Sequence, residues 1–289
     1  MITRFIVLLH DIALLLLIMI KSIPLRNNNY KDLTTKTRAI ILCSGPSLTK
    51  DMQKIQNRSN GADLYCVNSF ATTEYFKKLK PSFYVLADPM FWRDDINQSL
   101  KEVRQKTLSA ISDATWPITI VCSEAGKIFL NEVFIESENI RIVGVKRNEC
   151  NFKHHSFHMF ALKFGFATPN FINVLILAIW WCIENKVNDI ELFGADFSQH
   201  LGLKLDQESG EAMSGGGKHF YENQKEKGLV KMIGQKYIGR PQKKMHERFF
   251  QIWTAFHQIY LLSELCKVKK LNLINFSSTT NIDTIKKSD

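Results

Sequence analysis

Four short stretches carry residue types that could bind or react, and each closes an apolar run: Ser44-Gly45-Pro46-Ser47, Asn68-Ser69, Asp88-Pro89 and Gly194-Ala195-Asp196. In the first, an apolar strand pattern ends in Ser-Gly-Pro-Ser and a helical pattern begins at Leu48. A sharp strand-to-helix turn leaves backbone N–H groups pointing outward at a helix N-terminus, where an anion such as a nucleotide phosphate can bind. The spacing fits neither G-x-G-x-x-G nor the P-loop, and no G-K-[ST] occurs. Asn68 could read a base or a sugar through its amide. Asp88 or Asp196 could accept hydrogen bonds from ribose hydroxyls or hold a metal. Asn, Asp and Gly are also ordinary turn and cap residues. What points to a nucleotide site is their recurrence at successive strand ends.

Two histidines could serve as a general base on a hydroxyl, because imidazole titrates near neutral pH. His219 sits in Lys218-His-Phe-Tyr-Glu-Asn223, and His246 just before an aromatic helical stretch. Tyr221 or Tyr237 could contact a leaving phosphate. His154-His155-Ser-Phe-His158 has the composition of a metal site but not the H-E-x-x-H spacing, and it reads as surface or loop. No metal site is expected.

The elements that must position these residues follow from periodicity. Strand-length apolar runs fall at 39–43, 64–68, 83–86, 118–122, 140–145, 190–193 and 271–275, with helical stretches between them. Several are apolar throughout, which suits a parallel sheet covered on both faces. The expectation is an α/β, Rossmann-like sandwich with a mostly parallel sheet of about seven strands, forming one nucleotide-binding domain over residues 38–289. Residues 171–185 are apolar nearly all round and should form a central buried helix. Residues 246–265 carry Phe249, Ile252, Trp253, Phe256 and Tyr260 at helical spacing, a core stripe. From about 198 to 245 the pattern dissolves around Gly202, Gly210 and Ser214-Gly-Gly-Gly217, the signature of a mobile lid. It starts just past a strand end, where α/β proteins place ligand sites.

The chain has 289 residues, 45% hydrophobic, and a net charge of +10. Part of the excess is local: residues 218–244 hold eight Lys/Arg against two Glu. Such a balance favours anionic partners, and such a run is also a common solvated loop. No nucleic-acid-binding signature accompanies it, so nucleic acid is not expected as a partner. Six widely spaced cysteines form no C-x-x-C or Cys/His cluster and read as small buried hydrophobes of a reducing compartment. The stretch from Phe5 to Ile20 is apolar apart from His10 and Asp11. Residues 1–25 read as a membrane anchor, spanning or lying in the interface, with a core helix as the alternative. Arg4 precedes it, while Lys21, Arg26, Lys31, Lys36 and Arg38 follow, which by the positive-inside rule puts the main domain in the cytoplasm, at the inner membrane. Residues 26–37, with three consecutive asparagines, read as a linker.

Taken together these stretches resemble a known group. Ile41-Leu-Cys-Ser-Gly-Pro-Ser-Leu48 is similar to the G-N-G-P-S-L opening of the bacterial family 42 sialyltransferases. Cys66-Val-Asn-Ser-Phe70 resembles their C-N-x-F segment, Tyr84-Val-Leu-Ala-Asp-Pro-Met-Phe91 their third strand end, and Ile190-Glu-Leu-Phe-Gly-Ala-Asp-Phe197 their L-S-G-I-D-F strand. The resemblance spans residues 38–275 by order and spacing rather than close identity. It implies a single domain of the GT-A-variant type, a CMP-activated sugar donor, and inverting transfer without an essential metal or other cofactor. It implies a CMP site lined by Ser44, Gly45, Pro46, Ser47 and Asn68, with Asp88 in place of an asparagine and Gly194 and Asp196 beside the nucleotide. Thr168-Pro-Asn170 stands where the family has Thr-Ser-Gly near the phosphate, so Thr168 and Asn170 would take that place. His219 and His246 both align with the family's catalytic histidine. His219 is favoured because His-Phe-Tyr resembles the family's His-Tyr stretch. The implied partners are a CMP-sugar donor, a glycan or lipid-linked glycan acceptor of bacterial surface-polysaccharide assembly, and a membrane surface, with self-association left open.

The flagellar motility accessory factors and the archaeal hydroxymethylpterin pyrophosphokinases share the Gly-Pro-Ser-Leu and Gly-x-Asp pattern. The pyrophosphokinases would use ATP and magnesium at the same turn. An ATP-dependent pyrophosphokinase and a non-catalytic, membrane-tethered nucleotide-binding protein are therefore the alternatives.

Overall fold

The run Arg38-Ala-Ile-Ile-Leu42 has branched side chains on both faces, so it can sit only where both faces are covered. In the computed structural model it is β1 (Arg38–Leu42), in the interior of a sheet. Residues 2–22, 33–34, 36–210, 212–214, 220, 230–231 and 244–288 are described.

The chain starts with α1 (Ile2–Ser22) and β1, then α2 (Leu48–Arg58), β2 (Asp63–Val67), α3 (Glu74–Leu79) and β3 (Phe83–Leu86). It continues through α4 (Gln98–Ser112), β4 (Ile118–Ser123), α5 (Glu124–Val133), β5 (Ile140–Val145), α6 (His155–Lys163), α7 (Val174–Glu184) and β6 (Asp189–Phe193). Three short strands follow, β7 (Leu203–Leu205), β8 (Ala212–Ser214) and β9 (Val230–Lys231), then α8 (Met245–Lys269), β10 (Asn272–Asn275) and β11 (Lys286–Lys287).

The main sheet has eight strands in the order β11-β10-β6-β1-β2-β3-β4-β5, and all its described pairings are parallel. The expected α/β sandwich is therefore present, with one edge strand more than the apolar runs gave. Alternate residues of β1 feed two cores. Ala39 and Ile41 join α7 and α8 on one face, while Ile40 and Leu42 join α2, α4 and α5 on the other. In α7 every residue from 175 to 183 is buried, because the sheet covers one side and α8 another. Asn173 caps its start, accepting the Leu175 N–H at 2.8 Å. The six cysteines are free and buried, as their apolar surroundings predict.

Two expectations need correction. The segment read as pattern-free from 198 to 245 contains β7, β8 and β9, which pair antiparallel as a small second sheet. The histidine cluster is not a loop. His154 is the residue before α6 and His155 its first, and His158 is buried with its ring 6.5 Å from that of His257 on α8. Burial, and then the charges of His257 and His155, push the His158 imidazole down to about 4, so it is neutral at pH 7.

Helix α1 is held along one side. Ile18 is buried, and Leu14, Leu15 and Met19 pack on the core shared with α7 and α8. Asp11 is completely buried and accepts hydrogen bonds from the Lys153 N–H at 3.0 Å and the His154 N–H at 2.7 Å. The His154 Nδ1 lies 2.8 Å from the same carboxylate. Burial by itself would raise the Asp11 carboxyl, but these hydrogen bonds, with His10, hold it well below the usual carboxylate range. It is therefore ionised in the folded protein at neutral pH, and this contribution to stability fades only as pH falls below the ordinary carboxylate range.

Candidate functional site

The chain builds the sheet outward from β1 through β2 to β5, then returns to lay β6 on the other side of β1. After β1 the chain turns into α2 on one face. After β6 it leaves toward the small sheet and α8, which packs on the other face. Such a topological switch point opens a crevice at the carboxyl ends of the strands. The 44–47 turn and the 194–196 turn form its two lips.

The lips are locked together. Gly45 N–H donates to the Gly194 carbonyl at 2.9 Å. The Ser47 N–H and Oγ donate to Asp196 Oδ2 at 3.2 and 2.7 Å. Thr279 Oγ1 donates to Asp196 Oδ1, and Asn281 holds the Asp196 carbonyl through its backbone N–H and its Nδ2, each at 2.9 Å. Asp196 is 4% exposed. The approach requires glycine on both lips. A Cβ on Gly45 would fall 1.9 Å from Asp196 Oδ2, and Gly194 has a left-handed φ of +66°.

This geometry corrects the outward-pointing N–H groups expected at the turn. The N-terminus of α2 already has an anion, the Asp196 carboxylate, and Leu48 N–H is spent on the Gly45 carbonyl at 3.1 Å. Gly45, Ser47, Gly194 and Asp196 thus shape and rigidify the crevice, and both Asp196 oxygens are occupied within the protein. Cys43 precedes the turn, and burial, then the Asp196 charge, pushes its thiol up to about 12. It is not a nucleophile at neutral pH.

Around the crevice, the strand ends of β2 and β3 each enter a short 3-10 helix. Asn68 opens Asn68–Thr72 with a left-handed φ of +51°. Its carbonyl accepts from the Tyr84 hydroxyl at 2.5 Å, and the same hydroxyl accepts the Ala71 N–H at 2.8 Å. The backbone is thereby fixed, and among the described residues the Asn68 amide makes no hydrogen bond. Asp88 caps Pro89–Phe91, its Oδ1 accepting the Met90 N–H at 3.0 Å. Half-buried Ser44 and Pro46 complete the turn.

Phe220 joins them from the segment read as a lid. Its N–H donates to the Ser44 carbonyl at 3.0 Å, and its ring lies 5.4 Å from Phe70 and 6.4 Å from Tyr75. His219, Tyr221 and Tyr237 lie outside the described residues. His246 is exposed on the first turn of α8. The helix reaches the post-β6 loop at Phe256, whose ring meets Phe197 at 4.9 Å, about 15 Å further along the axis. Thr168 and Asn170 belong to the loop before α7. Thr168 Oγ1 accepts the Asn148 N–H at 2.9 Å, and Asn170 N–H donates to Gln258 Oε1 on α8 at 3.0 Å. Those bonds run to the loop after β5 and to α8, not to the 44–47 turn.

Sequence reading missed Thr279, Asn281 and Phe220. For the first two a signal existed: Ser277-Ser-Thr-Thr-Asn281 is a polar cluster closing an apolar run, the same pattern that marked the other four strand ends. Phe220 had none beyond its place next to His219.

No family model and no curated protein matches the chain. Among solved structures it is similar to the MAf glycosyltransferase from Magnetospirillum magneticum AMB-1, at 13% identity and a TM-score of 0.49. The match covers 91% of this chain and 34% of that one, so this chain spans well under two thirds of that protein's length.

Proposed function

We propose that the protein is a membrane-associated glycosyltransferase that moves sialic acid or a related nonulosonic acid from a CMP-activated donor to a glycan or lipid-linked acceptor. The observation that carries this reading is the Phe220 N–H on the Ser44 carbonyl at 3.0 Å, at the β1–β6 switch point; His219 is the residue before Phe220 in the sequence. The Asn68 amide, on a fixed backbone, faces no protein partner among the described residues and suits a base or sugar. Asp88 suits a sugar hydroxyl. The Asp196 carboxylate repels a phosphate from the α2 N-terminus, so the donor phosphate is held by groups other than the N–H groups of that turn.

His219 takes the proton of the acceptor hydroxyl. That oxygen bonds to the anomeric carbon on the face opposite CMP, the bond from that carbon to the CMP phosphate oxygen breaks, and configuration inverts. Phe220, on the Ser44 carbonyl, helps to cover the donor and exclude water. No step requires a metal.

A thermal-shift panel of CMP, CDP, UDP, GDP and ATP, with and without magnesium, tests the reading. CMP should stabilise the protein without metal, by roughly 2.7 kcal/mol at a hundredfold excess over Kd, about 5–10 °C in Tm. Stabilisation only by ATP with magnesium would overturn it in favour of a pyrophosphokinase.

A further inference from the structure

Helix α1 has a second side. Phe5, Ile6, Leu9, Leu16, Leu17 and Ile20 are all exposed. By length and composition alone the window Phe5–Ser22 could cross a membrane. Its attachment to the body argues otherwise. Asp11 lies about 9 Å along the axis from Phe5, well inside a hydrocarbon core of about 30 Å. There it is gripped by the backbone of Lys153 and His154. Were α1 to span as docked, that loop and its exposed lysine would enter the hydrocarbon with it, where irregular polar backbone is not tolerated against lipid. Were it to span undocked, an unpaired carboxylate would sit in the bilayer.

The helices packed beside it expose further apolar side chains. Helix α6 touches both α1 and α8 and exposes Phe160 and Phe164, and the overhanging start of α8 exposes Phe250 and Trp253. Cations outnumber anions around it: exposed Lys244 stands at the start of α8 beside exposed Glu247, whose carboxylate accepts the Lys244 N–H at 2.8 Å. Lys21, Lys153 and Lys163 are exposed, while the one carboxylate in α1 is the buried Asp11 and α6 has none. An apolar face bordered by lysines, with aromatic rings among them, is matched by an anionic bilayer surface.

We propose that α1 lies in the plane of an anionic membrane, clipped to the body through Asp11, and that it binds the bilayer together with α6 and the start of α8 without crossing it. The proposal deepens the membrane part of the reading above and is independent of its chemistry. Nucleotide binding can succeed where this fails, and the reverse.

The test uses the full chain. It should co-sediment with vesicles of phosphatidylcholine and phosphatidylglycerol in equal parts, and much less with phosphatidylcholine alone. Lys21→Glu with Lys163→Glu should weaken the first interaction about tenfold or more, with the melting temperature as a control for folding. Topology is read in sealed inside-out membrane vesicles with a membrane-impermeant maleimide. The six native cysteines are buried, so Thr3→Cys and Asp113→Cys report alone, and both should label from the same side. Labelling of Thr3→Cys only after permeabilisation would mean a spanning helix and overturn the proposal. So would equal binding to both vesicle types, or a stable dimer that leaves vesicles unbound and so covers the face with a second copy.

Discussion

Replacing Gly45 with alanine is expected to lower the melting temperature by about 6–12 °C and to abolish CMP binding. The new Cβ would meet Asp196 Oδ2 at 1.9 Å and the Gly194 carbonyl at 2.4 Å. The carbonyl is backbone, and it already accepts the Gly45 N–H at 2.9 Å, so it cannot retreat without opening the β1–β6 junction. The carboxylate cannot retreat without breaking its hydrogen bond to Thr279 and leaving the buried Ser47 N–H and hydroxyl unpaired. Overpacking together with a broken buried charge network costs on the order of 3 kcal/mol. Gly61→Ala is the control. Gly61 has φ +75° but nothing within 4 Å of its added Cβ, so it costs only the backbone term, roughly 1–2 kcal/mol, and leaves nucleotide binding intact. Thermal melts and CMP titration of the two variants measure both effects.

The second large effect concerns the base. His219→Gln is expected to lower kcat by about 10²–10⁴ while leaving the CMP-induced thermal shift unchanged, since in the proposed mechanism the histidine acts on the acceptor hydroxyl. His246→Gln should leave kcat near that of the wild type, because His246 is exposed on the first turn of α8, about 15 Å along the axis from the contact with Phe197. Steady-state kinetics on both variants decides between the two histidines. The reverse pattern would move the base to His246 and the acceptor site to the overhang of α8.

Much of the frame was legible in the residues. β3 and β5 fall where the apolar runs place them, and β1, β2 and β6 begin one residue early, at Arg38, Asp63 and Asp189. The difference has a physical reason. These polar residues pair in the ladder at the amino end of the sheet, Arg38 with Asp189 and Asp63 with Ala39, and hydrophobicity does not mark a backbone pairing. β7, β8, β9 and β11 have two or three residues each, too few to show a period, and β11 is a pair of lysines at the sheet edge.

The site was half legible. Short-range chemistry found the 44–47, 68, 88 and 194–196 turns, because each is a local change from apolar to polar. What the turns do with one another depends on contacts across 149 residues between Ser47 and Asp196 and 83 between Asp196 and Thr279. A turn that reads as an open anion site is, once folded, filled by the protein's own carboxylate. The same limit applies to α1, whose composition permits a span and whose buried Asp11 ties it to the body.

The proposed mechanism stands on CMP binding in the β1–β6 crevice. A crystal structure of the protein grown with CMP tests it most directly. Nucleotide density is expected between the 44–47 turn, Asn68 and Phe220, with the Ser47–Asp196 lock intact beneath it. Density for CMP away from this edge of the sheet, or a nucleotide phosphate displacing Asp196 from Ser47, would contradict it.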